Sequence, residues 1–416
     1  VGTQISNDFG GAASSFVNNG TYRKTVATST LIGVVINNAG TVNVDAGTLV
    51  LSGGGTDTGV YAVEAGTTLN FAGGTHNLNA GSVTGSGTVS VTGAALNVNG
   101  GSYDIGTAIS SGTANLNVAV SVPTLTLSGG TLGGTGTVTV TDMSWTGGTM
   151  AGTGSTVANG SLSIGGAGLM DITQRRLVNA GTATWAEGAG GRIRTGSGVV
   201  IENTGVWRDQ NTVGTQISND FGGAASSFVN SGTYEKSGGA ATTAIFIALG
   251  NTGTLNVQAG TLTYSGNLAS QGTVSIAPGA RMNVTGSFTT SAQGTVRIGL
   301  LNATTIGVLA ATGTANLAGT LAVYLDGGFV PATNAVFNVM TYANRAGNFS
   351  ILRGESPGAF VEFGVDTSVP TTLKVTNITV STVVPGVDLI VNAVGVSADT
   401  VLKSGNTVTV AWQDDN

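Results

Sequence analysis

Residues 38–53 read NAGTVNVDAGTLVLSG, and residues 251–266 read NTGTLNVQAGTLTYSG. Each stretch opens on Asn-x-Gly and holds two short segments that start with Gly-Thr and then alternate. A period of two puts Val42, Val44, Leu49 and Leu51 on one face of a strand, and Thr41, Asn43, Thr48 and Val50 on the other. The same unit returns as GTVSV at 87, GTVTV at 136, GTVSI at 272 and GTVRI at 294. Gly punctuates the segments, as tight corners require. No window carries the apolar period of an amphipathic helix, and the helix formers Glu, Lys and Arg are scarce.

Of the Asn-x-Gly occurrences, those at Asn18, Asn38, Asn179, Asn203, Asn230 and Asn251 are taken as the marker, and within its runs the marker returns after roughly one coil's length. Short strands recurring at that period match three strands per turn of a solenoid. The expected fold is all-β: a parallel, right-handed β-solenoid with about three short strands per coil of roughly 20–24 residues, a C-terminal β cap and a partial β-sandwich at the end. Coils would stack about 4.8 Å apart, with Val, Leu and Ile in internal ladders and Thr, Ser and Asn outside. The six asparagines are read as structural corner residues. Asn tolerates a left-handed backbone, and it can hydrogen-bond to an Asn in the next coil. An antiparallel sandwich would instead show turns about every 8–12 residues with no coil-length period.

A second period is much longer. The opening phrase VGTQISNDFGGAASSFVNNGTY (1–22) recurs from Val213 with one change, Asn19 to Ser231. Such near-identity marks a building block, and a repeat under way at residue 1 leads to the expectation of a fragment of a longer array. Of 416 residues 69 are Gly, 40% are hydrophobic and only 8% are charged. That supplies a core and disfavours disorder. The formal charge of -6 argues against nucleic acid and against a polybasic membrane anchor. No apolar run is long enough for a transmembrane helix, so no membrane insertion is expected. Cysteine is absent, which rules out disulfides and thiolate metal sites and suits an exported bacterial protein.

Residues 1–300 carry the solenoid texture, with the long repeat restarting at 213 and Gly-rich corners over 57–169. Residues 301–382 have longer hydrophobic runs and more aromatics, among them Tyr324, Phe329, Phe337, Tyr342 and Phe349, and are placed to cap the solenoid's open edge. Pro385-Gly386 marks a boundary, and 383–416 hold too few strands for an independent domain. WTGGTMAGTGS (145–155), RRLVNAGTATW (175–185), SFVNNGTY (15–22) and AGTLVLSGG (46–54) resemble the repeats of giant bacterial surface proteins, β-solenoids of the filamentous-haemagglutinin and autotransporter-passenger type. Residues 313–342 are similar to the segment that often closes such solenoids. VDLIVNAVGVSADTVLKSGNTVTVAW (387–412) resembles the opening of a CARDB domain, an immunoglobulin-like module associated with bacterial cell adhesion. The resemblance implies a secreted, extracellular or cell-surface rod or fibre that is structural or adhesive, not an enzyme. Its implied partners are further copies of itself, by homotypic fibre or lateral self-association, and a surface glycan or matrix polysaccharide.

The alternative is a polysaccharide-binding or polysaccharide-degrading β-helix protein. Degradation needs clustered carboxylates, whereas Asp45, Asp57, Glu64, Asp104 and Asp142 are isolated. The densest polar spots are WRDQN (207–211) and DITQRR (171–176), with Glu202 nearby, which makes Asp171 and Asp209 the acids to test. Trp145, Trp185 and Trp207 are the carbohydrate-binding candidates. The last two lie near one coil apart in sequence, and the first lies further upstream; they either stack in the core or form an exposed platform for sugar rings. His76 is the only histidine, so no His-based triad or multi-His metal site exists. GGGTDTG (53–59) offers one Asp, too few ligands for a hard cation. The Thr-x-Thr pairs at 124–128 and 137–141 do not recur at coil spacing, so they reflect outer-face β propensity. No catalytic residue, metal or cofactor is expected.

Overall fold

The computed structural model describes residues 3–381 apart from 11, 167, 187, 189, 190 and 356–359. The CARDB-like module expected at 383–416 lies outside the described residues. The rest is an all-β parallel solenoid of about 15 turns, with about three strands per turn. Thr41–Val44 and Thr48–Leu51 show why: each alternates half-buried and buried residues, and Val42, Val44, Leu49 and Leu51 are wholly enclosed. Coils pair in register, so Leu49 meets Leu69 and Leu69 meets Val89. Each such enclosed side chain contributes about 1.5–3 kcal/mol.

Coil length varies more than the corner spacing predicts. Thr113 pairs with Thr131 and Thr131 with Thr149, which makes those coils shorter than expected. Thr320 pairs with Ile351, across a coil much longer than expected. The short coils lie where corners have been absorbed into long bent strands such as Ser82–Val98 and Ser102–Leu116. The long ones carry loops at their corners.

The three walls can be numbered in chain order. Ser15–Asn18 and Val35–Asn38 lie on the first, Thr21–Lys24 and Thr41–Val44 on the second, Thr30–Ile32 and Thr48–Leu51 on the third. The third-wall ladder starts at Thr3–Ile5 and takes ten steps to Val206–Asp209. The second copy of the opening phrase begins on the following strand, Thr215–Asn219, which belongs to the first wall. The long unit is therefore ten coils and one strand, and its second copy sits one wall further round. The same side chains serve in both places. Phe16 meets Tyr22 edge to face at 5.5 Å, and Phe228 meets Tyr234 likewise at 5.8 Å. A phrase that packs on two walls shows that the walls are near-equivalent.

The corners are held by stacked amides. Asn18 Nδ2 donates to Asn38 Oδ1 at 2.8 Å, between the first and second walls. Between the second and third walls Asn179 donates to Asn203 at 2.7 Å, Asn203 to Asn230 at 2.7 Å, Asn230 to Asn251 at 2.8 Å, and Asn251 to the Ser270 hydroxyl at 2.9 Å. Each Nδ2 also donates to a carbonyl of the following coil, as Asn203 does to Thr233 at 2.9 Å. The left-handed backbone expected of these asparagines is not there: among the described residues, only Gln174, Ser197 and Asn334 of the non-glycines have positive φ. Nor do the glycines two places after these six adopt it, although Gly81 and Gly101, two places after Asn79 and Asn99, do. The reason for a glycine after the six is stacking. A Cβ on Gly205 would lie 2.0 Å from the Gly181 carbonyl oxygen, and one on Gly232 would lie 2.1 Å from that of Gly205.

Parallel pairing continues past residue 300, through Val308–Ala311, Thr314–Leu317 and Thr320–Leu325 to Ile351–Glu355. Antiparallel pairing begins where Val336–Thr341 and Phe360–Asp366 meet Thr372–Ser381. Phe337, Tyr342, Phe363, Leu373 and Val375 join the solenoid's own core there.

Candidate functional site

Trp145, Trp185 and Trp207 have no exposed surface. The exposed sugar platform is thereby corrected. Alternation along Thr182–Trp185 and Val206–Asp209 turns these rings inward, where large aromatics fill space. Trp185 and Trp207 meet edge to face at 6.3 Å, and Trp207 meets Phe228 at 5.2 Å.

This aromatic interior encloses a polar cluster. Asp209, in the polar spot WRDQN, is wholly buried. Its Oδ1 accepts from Asn211 Nδ2 at 2.7 Å and from the Asn211 backbone N–H at 3.1 Å. Its Oδ2 accepts from the Tyr234 hydroxyl at 2.9 Å and lies 3.9 Å from Lys236 Nζ. Burial raises Tyr234 well above its ordinary value, and the Asp209 charge adds to that. A second buried cation, Arg175, pairs with no carboxylate among the described residues. Nε donates to Thr156 Oγ1 at 2.7 Å, Nη1 to the carbonyls of Ala151, Gly134 and Gly133 at 3.1, 3.3 and 3.4 Å, and Nη2 to that of Ser155 at 3.1 Å.

Asp57 and His76 form a third buried polar spot, in adjacent coils. Burial pushes Asp57 up from 3.8 to about 6, against the Asn38 N–H and the Tyr61 hydroxyl. Burial pushes His76 down from 6.5 to about 4, against the Gly73 and Leu51 carbonyls. Between about pH 4 and 6 the fold holds a proton on Asp57 that the unfolded chain has lost, so that contribution falls as pH rises. Over nearly the same window the unfolded chain holds a proton on His76 that the fold refuses, so that contribution rises with pH. Each change amounts to about 3 kcal/mol. The two oppose each other, so the wild-type urea midpoint should change less between about pH 4 and 6 than that of either single variant. Asp57→Asn should leave stability rising with pH, and His76→Phe should leave it falling. Parallel pH profiles for the two variants, measured by urea unfolding, would sink this account.

The surface carries ion pairs that bridge neighbouring coils. Arg194 binds Asp171 through two 2.7 Å contacts and lies 5.0 Å over the Phe221 ring; Arg192 pairs with Asp220 at 2.9 Å, and Arg176 with Glu202. Asp171 is thus neutralised by an arginine, and Asp171 and Asp209 lie on different walls, one outside and one in the core. Beside these pairs runs a groove of about 620 Å³ lined by Leu169, Arg192, Thr215, Gln216 and Thr242, where Gly191 and Gly214 leave room.

Alternation could have placed Asp209 inside, two positions from Trp207, and Lys236 inside, two from Tyr234. Asp57 and Ser270 extend the corner ladders as D-x-G and S-x-G at the coil period, a signal that the Asn-x-Gly pattern alone is too narrow to catch. Architecture and stacked side chains together define a β-solenoid repeat protein. No family model matches the sequence, and no curated protein matches it.

Proposed function

We propose that this chain is a rigid, non-catalytic segment of an extracellular bacterial surface protein, an adhesive rod or fibre. The observation that carries this reading is the third-wall ladder, which runs unbroken from Thr3–Ile5 to Ile351–Glu355 over a filled interior. About 15 turns at about 4.8 Å each give a rod about 70 Å long. Such a rod sets distance, and repeated weak contacts along it add by avidity. Its lightly charged flank also allows lateral association with further copies. The groove beside Arg192 gives a surface glycan a place to lie, and is the one feature that favours the polysaccharide reading.

Electron microscopy of the isolated chain should show rods of that length. Glycan and matrix arrays should show binding that strengthens when the chain is displayed in many copies, with no release of reducing ends. Polysaccharide turnover abolished by Asp171→Asn or Arg192→Ala would replace the structural reading with the enzymatic one.

A further inference from the structure

Asp209 and Lys236 are directly paired on neighbouring third-wall strands, and neither has any exposed side-chain surface. The carboxylate is arranged as an acyl group awaiting a nucleophile. Both Asn211 N–H donors converge on Oδ1, at 2.7 and 3.1 Å, where an oxyanion would form. The Tyr234 hydroxyl sits on Oδ2, the oxygen that would leave, at 2.9 Å. Lys236 Nζ stands 3.9 Å from Oδ2 and makes no hydrogen bond. Trp185, Trp207 and Phe228 exclude water around them. An amine held against a carboxyl in a dry, fixed geometry has a high effective concentration.

We propose that Asp209 and Lys236 condense into an isopeptide bond that ties two coils together, with the fold itself as catalyst. A proton first passes from the Lys236 ammonium to Asp209 Oδ2, leaving an amine and a carboxylic acid. Nζ attacks Cγ, and negative charge develops on Oδ1 against the two Asn211 donors. The Cγ–Oδ2 bond then breaks. Oδ2 departs as water, receiving its second proton from Nζ by way of the Tyr234 hydroxyl. One ammonium and one carboxylate give one amide and one water, with no oxidant or co-reactant. Burial lowers the Lys236 amine, with Asp209 opposing, which favours the neutral nucleophile. In a chain without cysteine, this is a covalent tie that needs no disulfide.

The first copy supplies an internal control. Lys24 stands at the equivalent place of its phrase, but its Nζ is engaged by the carbonyls of Thr28 at 2.6 Å, Ala46 at 3.0 Å and Val26. It stays a free amine, so one bond is expected and not two.

Intact-mass measurement of the folded full-length chain should find it one water lighter than its sequence. Trypsin should fail to cut after Lys236 and should release residues 209–281 as one lariat peptide. Lys236→Met should restore the sequence mass, and Tyr234→Phe should slow the appearance of the bond about 10²-fold. A wild-type chain with native β circular dichroism that keeps its full sequence mass on long incubation overturns the proposal. So does a water loss that persists in Lys236→Met, since it would come from ring closure at another aspartate.

Discussion

Replacing Arg175 with methionine is expected to cost about 4 kcal/mol of stability. The guanidinium is wholly buried and reaches carbonyls of the two preceding coils: Gly133 and Gly134 in one, Ala151 and Ser155 in the next. The Gly134 carbonyl already takes the Gly154 N–H at 3.2 Å, and the guanidinium adds a further donor there. A planar fork with several donors suits such a set of carbonyls, and methionine offers none. The variant would take one donor from each of these carbonyls and the donor of the Thr156 hydroxyl, and a buried group left unsatisfied costs about 1–3 kcal/mol. Burial lowers the guanidinium to about 10, so it stays charged at neutral pH, and among the described residues its partners are oxygen dipoles. Lysine keeps the charge but gathers its donors at one point, so Arg175→Lys should recover only part of the loss. Urea unfolding followed by tryptophan fluorescence reads this directly, because Trp145 and Trp185 lie in the neighbouring coils. A methionine variant within about 1 kcal/mol of wild type would show that water reaches these carbonyls and that the guanidinium is dispensable.

The solenoid was legible in the sequence because its two periods are local. Alternation over Thr41–Val44 and the recurrence of Asn-x-Gly need no knowledge of distant contacts. The phase of the long repeat was not legible. Asn18 and Asn230 occupy matching places in near-identical phrases, yet one lies between the first and second walls and the other between the second and third. Only the number of strands in between decides that, and strands that absorb corners, such as Ser82–Val98, hide the count. The buried polar groups were missed for another reason. WRDQN looks hydrophilic as a composition, but its alternation sends Asp209 inward with Trp207, and its partner Lys236 lies a full coil further along the chain. The tryptophans themselves are ambiguous, because a strand's two faces differ only in what the fold places against them.

Gly232→Ala is expected to destabilise the rod by about 3 kcal/mol or more, although it adds one methyl group. The new Cβ would stand 2.1 Å from the Gly205 carbonyl oxygen and 2.7 Å from the Thr204 carbonyl carbon. Both obstacles are backbone, so no rotamer change relieves them. The coils would have to part, stretching the bonds from Gly232 N–H to the Asn203 carbonyl at 3.0 Å and from Thr233 N–H to the Gly205 carbonyl at 2.9 Å. The amide contact between Asn203 and Asn230 would stretch with them. Gly20 holds the same place in the first copy of the phrase, and a Cβ there meets nothing within 4 Å. Gly20→Ala should therefore stay within about 0.5 kcal/mol of wild type. Gly250, mid-strand with ordinary φ and open space, should gain about 0.4–1 kcal/mol as alanine through a less flexible unfolded chain. Three single variants in one thermal-unfolding series separate the causes. If glycine were needed for corner conformation, positions 20 and 232 would respond alike, because sequence and turn are shared. If it is needed because another coil lies against it, only 232 responds. Equal losses at both positions would reject the stacking explanation and return the corner glycines to a purely local role.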